Sequence, residues 1–205
     1  VVDALRQKLA RRQDLFKISE IIPPKVRILD LGCGDGSLLR LLREEKEVKG
    51  IGVEISEKKM LESVSNGVPV IHGDLNEGLS FFGDKSFDFV VLSQTLQALQ
   101  RPDKALEEMT RVGSKCIISL INLGYFKARL QLALRGEMPI TKNLPMKWFD
   151  TPNIHLATIC DFRSLCRERG VKIIQEIPLG HKSNVLAGLW PNIFAPTCIF
   201  VVKKT

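Results

Sequence analysis

The sequence predicts a doubly wound α/β fold, a mainly parallel sheet covered by helices on both faces. Three observations support this. Short runs rich in Val, Ile and Leu alternate with stretches of helical apolar spacing, and a glycine-rich turn at 30–36 joins the first such run to a helical stretch. The 205 residues, 44% hydrophobic and 26% charged, suit one substantial core rather than two or a disordered chain. One domain over 1–205 is therefore expected.

Val2, Leu5 and Leu9 recur at helical spacing, so an N-terminal helix is expected, clearest over 1–15 and bounded at about 22 by Pro23 and Pro24. The first strand is Val26–Leu31, followed past the glycines by a helical run at Leu38–Arg43. A second strand at Gly50–Glu54 leads to a helix at 57–65. Val68–His72 is the third strand, which Pro69 confines to an edge or a strand beginning. Phe87–Leu92 is the fourth, Pro102 opens a helix through Ala105, Leu106 and Met109, and Cys116–Leu120 is the fifth. The alternation then lapses, giving an expected insertion at about 122–157. A helix at Thr158–Arg169, a strand at Val171–Ile177, a connection at 178–196 and a last strand at Thr197–Val202 complete the reading. Strands alternating with helices are most economically layered as a parallel sheet.

The five cysteines, at 33, 116, 160, 166 and 198, have no zinc-like spacing and read as free thiols, which fits a reducing cytoplasm. His72, His155 and His181 are isolated, so no metal site is expected. No secretory leader or long apolar span is evident, and no membrane association is expected. The formal charge of +7 is spread along the chain without a recognition module, so nucleic acid is an unfavoured partner.

The decisive stretch is Asp30-Leu-Gly-Cys-Gly-Asp-Gly36. Glycines at 32, 34 and 36 let the backbone turn sharply and approach a ligand with no Cβ in the way. Two details disfavour a dinucleotide. The G-x-G-x-x-G pattern needs a glycine at 37, where the chain has Ser37, and Asp30 sets a carboxylate where a pyrophosphate would lie. A ligand end carrying an ammonium suits Asp30 better. Glu54 ends the second strand, where an acid accepts both hydroxyls of a ribose, although a charged strand end also simply meets solvent. Ile55 is placed to cover an adenine face. Asp74 and the backbone of Leu75 follow the third strand in reach of an adenine edge, in a Gly-Asp sequence that is also ordinary turn chemistry. Ser93 and Gln94 end the fourth strand and offer hydrogen bonds to the far end of the ligand.

Through 30–36, Glu54, Gly73-Asp-Leu75 and Phe87–Leu92 the sequence resembles class I S-adenosylmethionine-dependent methyltransferases. Residues 29–37, 92–97, 129–139 and 148–155 carry a closer resemblance, over roughly 20–180, to the MetW family of methionine-biosynthesis proteins. The wider resemblance implies a Rossmann-like seven-stranded sheet in the order 3-2-1-4-5-7-6, with the seventh strand antiparallel. It also implies S-adenosylmethionine as cofactor. Asp30 would bind its ammonium, Gly32, Cys33 and Gly34 would line its methionyl part, Glu54 would take the ribose, and Asp74 and Leu75 would meet adenine. The closer resemblance implies an accessory role beside homoserine O-acetyltransferase. The alternative is a methyltransferase of a small acidic metabolite.

The sequence names no catalytic base. Tyr125 and His155 are polar candidates over the cofactor mouth, each with a plainer reading as an aromatic anchor or a turn residue. The 122–157 segment mixes Lys127, Arg129, Arg135, Lys142 and Lys147 with Trp148 and Phe149, a composition suited to a substrate rim, a protein interface or a solvated face. The expected docking surface includes Tyr125, Phe126, Arg129 or the Trp148-Phe149 pair, with the apolar stretch at 185–194 as a candidate extension.

Overall fold

Successive residues of the central strands point to opposite faces of the sheet, and here both faces are covered. Ile28, Val91 and Ile117 lie in the core on one side, while Leu29, Val90 and Ile118 lie in the core on the other. That is why these strands read as nearly unbroken apolar runs. The computed structural model describes residues 2–180 and 184–205, so His181 lies outside the described residues.

Seven strands form one sheet: β1 (Arg27–Leu31), β2 (Lys49–Glu54), β3 (Val70–His72), β4 (Phe87–Ser93), β5 (Gly113–Ile121), β6 (Val171–Leu179) and β7 (Thr197–Lys204). Their order is β3-β2-β1-β4-β5-β7-β6. The first five run parallel, and β7 lies antiparallel between β5 and β6. This is the strand order and hand expected of a class I methyltransferase fold. The chain reverses its direction of travel across the sheet between β1 and β4, which opens a crevice at their C-terminal ends.

Nine helices flank the sheet among the described residues: α1 (Val2–Ala10), α2 (Gln13–Ile21), α3 (Ser37–Lys46), α4 (Glu57–Ser65), α5 (Pro102–Val112), α6 (Phe126–Arg135), α7 (Ile159–Glu168), α8 (Asn184–Leu189) and α9 (Pro191–Phe194). Leu106 and Met109 of α5 and Phe162 of α7 pack on one face; Leu38, Leu41 and Leu42 of α3 pack on the other with α1 and α2.

Two expectations need correction. The N-terminal helix is two helices broken at Arg11 and Arg12. Leu9 and Ile18 stand nine positions apart, which on a continuous helix of about 3.6 residues per turn is half a turn out of phase. The break lets Leu5, Leu9, Ile18 and Ile22 all enter one core. The lapse past β5, in turn, contains α6. Its Leu130, Leu132 and Leu134 remain exposed and only Ala128 is buried, so no amphipathic stripe marks it in the sequence. Among the described residues no helix is long and apolar enough to cross a membrane, and no group of His, Cys, Asp and Glu could hold a metal ion.

Candidate functional site

The glycine turn follows β1 and is tied to the end of β2 beside the crevice. Gly32 N and Cys33 N donate to Val53 O at 2.8 and 3.1 Å, extending the parallel pairing one residue past Leu31. Gly32, Gly34 and Gly36 all have positive φ, at 70°, 60° and 73°. At Gly32 a Cβ would stand 2.9 Å from Thr95 Oγ1, and at Gly36 it would collide with Ser63 Oγ. At Gly34 it would meet nothing within 4 Å. Packing and conformation together demand glycine at 32 and 36, whereas Gly34 turns open backbone toward the crevice.

Asp30 sits beneath this turn, 3% exposed, and its carboxyl accepts no hydrogen bond among the described residues. Burial, reinforced by the charge of nearby Glu54 and opposed by Arg12, pushes it up to about 7. A buried carboxyl with no donor leaves its acceptor capacity unmet. Glu54 is also buried, but held: its Oε2 accepts from Gly34 N at 2.8 Å and its Oε1 from Ser56 N at 2.9 Å. It therefore faces the glycine turn instead of projecting into solvent. Each carboxylate oxygen keeps a further lone pair for a ligand hydroxyl.

Cys33 turns inward over Gly52, and burial, helped by the charge of Asp30, pushes its thiol up to about 12. It is a small wall residue and not a nucleophile. Ile55, the residue after β2, is exposed. Asp74 caps a short 3-10 turn, Leu75–Glu77, its Oδ1 accepting from both nitrogens of Asn76 at 2.9 Å, and Leu75 is half-buried.

Ser93 and Gln94 belong to a network that reaches the N-terminal helices. Asp14, 2% exposed on α2, accepts from Ser93 Oγ at 2.7 Å, from Ser119 Oγ at 3.0 Å and from two nitrogens of Arg12 at 3.0 and 3.1 Å. Burial works against its ionisation, but Arg12 and the two hydroxyls outweigh it and hold the carboxyl below its ordinary range. Gln94 has a left-handed backbone, φ 53°, fixed by its N–H on Ser119 O and Oγ at 3.0 and 3.1 Å. Such strain in a non-glycine residue persists only where its surroundings over-determine it.

Tyr125 is buried and stacks edge-on against Phe126, so it is not an exposed docking residue. His155 directs Nε2 to Gln100 O at 3.3 Å, while Gln97 O accepts from the backbone of Ile154 and His155, both at 2.9 Å.

The family described as "Methionine biosynthesis protein MetW" matches residues 12–202. The chain belongs to the MetW family. A relative from Rhodopirellula baltica, named as a bifunctional methionine biosynthesis protein MetXA/MetW, is 38% identical over 202 residues, covering 93% of this chain and 32% of its own length. An uncharacterised protein of Methanocaldococcus jannaschii is 32% identical over 110 residues, covering 52% of this chain and 50% of its own length. The chain thus spans a third to a half of the curated relatives it matches. Among solved structures, a Thermotoga maritima S-adenosylmethionine-dependent methyltransferase, a possible histamine N-methyltransferase, superposes with TM-score 0.68 at 20% identity, over 98% of this chain and 92% of its own. Magnesium protoporphyrin IX methyltransferase of Synechocystis gives TM-score 0.63 at 17% identity, over 100% and 82%. At these identities the likeness establishes the methyltransferase fold alone.

Sequence reasoning missed Arg12, Asp14 and Ser119, because their partners lie far away along the chain. It also missed Gln97, whose Oε1 accepts from Ile121 N at 2.9 Å and ties the MetW-like 148–155 stretch to the end of β5. The 92–97 stretch carried the resemblance, but an isolated Gln does not announce its burial.

Proposed function

We propose that this protein binds S-adenosylmethionine and serves methionine biosynthesis as an accessory protein docked on homoserine O-acetyltransferase in the cytoplasm. The fused relative carries this reading, because fusion holds at high effective concentration two modules that otherwise meet by association. Asp30 supports the cofactor half. Its unpartnered carboxyl would take the ammonium, with Gly32, Cys33 and Gly34 along the methionyl part and Glu54 on the ribose. Ile55, Asp74 and Leu75 would contact adenine, and Ser93 and Gln94 the methionyl end. When bound, the cofactor supplies a methyl group activated on sulfonium sulfur. The fused relative favours the accessory role over methyl transfer to a small acidic metabolite.

The docking surface in this reading is the Trp148-Phe149 pair. The rings meet edge to face at 5.6 Å and are 72% and 67% exposed, beside an apolar cavity of about 410 Å³ lined by Leu144, Met146, Ile154 and Leu156. Large exposed aromatics beside an apolar groove mark interaction sites. Trp148→Ala and Phe149→Ala, titrated calorimetrically against the acetyltransferase, are expected to weaken association by about thirtyfold each, as for an aromatic hot spot of about 2 kcal/mol. Because both residues are exposed, melting temperature and S-adenosylhomocysteine affinity should not change. Unaltered association in both variants would remove this surface; no association of the parent protein, with or without S-adenosylhomocysteine, would remove the partner.

A further inference from the structure

A second cavity, of about 390 Å³, lies between the α1–α2 corner, the end of β4 and the loop at 141–145, a volume suited to a small ligand. Its charged wall residues are Arg11, Arg12, Lys142 and Asp14. Asp14 is fully engaged by Arg12 and the hydroxyls of Ser93 and Ser119, so its charge is neutralised inside the protein and no acid remains for a ligand ammonium. Arg11 and Lys142 have no acidic partner among the described residues, and the wall carries a surplus of two positive charges.

The cavity is also built rather than incidental. Lys142 rides a closed loop in which Thr141 and Leu144 exchange backbone hydrogen bonds at 2.9 and 3.1 Å. Asn143 pins that loop to β7 through Thr197 Oγ1 at 2.8 Å. The left-handed Gln94 also contributes to the wall. Strained backbone of this kind gathers at ligand sites.

We propose that this cavity binds a small dicarboxylate, with Arg11 and Lys142 taking the two carboxylates. Two cations without an acid select a dianion over a zwitterion or a neutral molecule, and the amide of Gln94 serves either polar edge of the ligand. The site is separate from the Trp148-Phe149 surface and borders the proposed cofactor site at Gln94, which would serve both.

Succinate is the probe, titrated calorimetrically at neutral pH and low ionic strength, with its uncharged diamide as control. Succinate should bind and the diamide should not. Arg11→Gln and Lys142→Gln should each weaken succinate by about three- to tenfold, since both side chains are exposed and screened. S-adenosylhomocysteine titrated into the same samples separates failure of this site from failure of the cofactor reading. Absence of succinate binding, equal binding of the diamide, or unchanged affinity in both variants would overturn the proposal. So would loss of succinate binding in protein saturated with S-adenosylhomocysteine, because the cavity would then belong to the methionyl carboxylate.

Discussion

Burial makes the ionised form of Asp30 costly to the fold. Its carboxyl is raised to about 7 in the folded protein, above its unfolded value of 3.8. Its contribution to stability is therefore complete below about pH 4 and is lost as pH rises through about 7. Asp30→Asn should melt higher than the parent at pH 8, by on the order of a few kcal/mol in stability, and should bind S-adenosylmethionine more weakly. A cation binds the ionised carboxyl, so parent affinity should climb by up to about tenfold per unit as pH rises toward 7 and then level off. Calorimetric titrations across this range check the slope, and a flat profile would remove Asp30 as the ammonium partner. The position of Asp30 was legible in the sequence because strand, carboxyl and glycines are consecutive. Its lack of any donor was not, because that depends on what β2 and the N-terminal helices bring beside it.

At the scale of elements, the least legible feature is how α2 is anchored. Asp14 meets Ser93 and Ser119 across 79 and 105 positions, and no local periodicity records such a contact. The strands were readable because burial on both faces writes apolar runs into them, whereas α6 was hidden by leucines that the fold leaves outside. Replacing Asp14 by Ala would strand two hydroxyls and a guanidinium at the strand ends. A loss of about 2–4 kcal/mol is expected, discounted from a fully buried pair because Arg12 is half exposed. Asp14→Asn, which keeps a carbonyl acceptor, should lose less. Because the folded carboxyl titrates below its ordinary value, its stabilisation holds above about pH 4 and fades as pH falls. Urea melts of the parent and Asp14→Ala should converge in acid; a constant difference would refute the role of this charge.

For the molecule as a whole, thiol burial gives an internal report of folding. Cys33, Cys116, Cys166 and Cys198 are buried and Cys160 is exposed. Desolvation pushes Cys33, Cys116 and Cys166 up to about 12 and raises Cys198 further still. Alkylation of the native protein at neutral pH should therefore modify Cys160 within minutes, while the other four react only through opening of the core. Mass spectrometry of timed samples reads this directly, and prompt modification of Cys116 or Cys198 would contradict the packed sheet.

The place of β7 between β5 and β6 has a consequence for how the chain is made. Residues 197–204 are the last of the seven strands to leave a ribosome, yet β5 pairs with six of their positions and β6 with eight. Until they emerge, β5 has a bare edge, β6 has no neighbour, and Ile199 and Val201 are missing from the core that α2 joins. The first five strands can assemble during synthesis, but the β7-β6 half of the sheet must wait. A nascent chain stalled before Thr197 would thus present an open strand edge to its surroundings, the condition in which a chain most needs a chaperone.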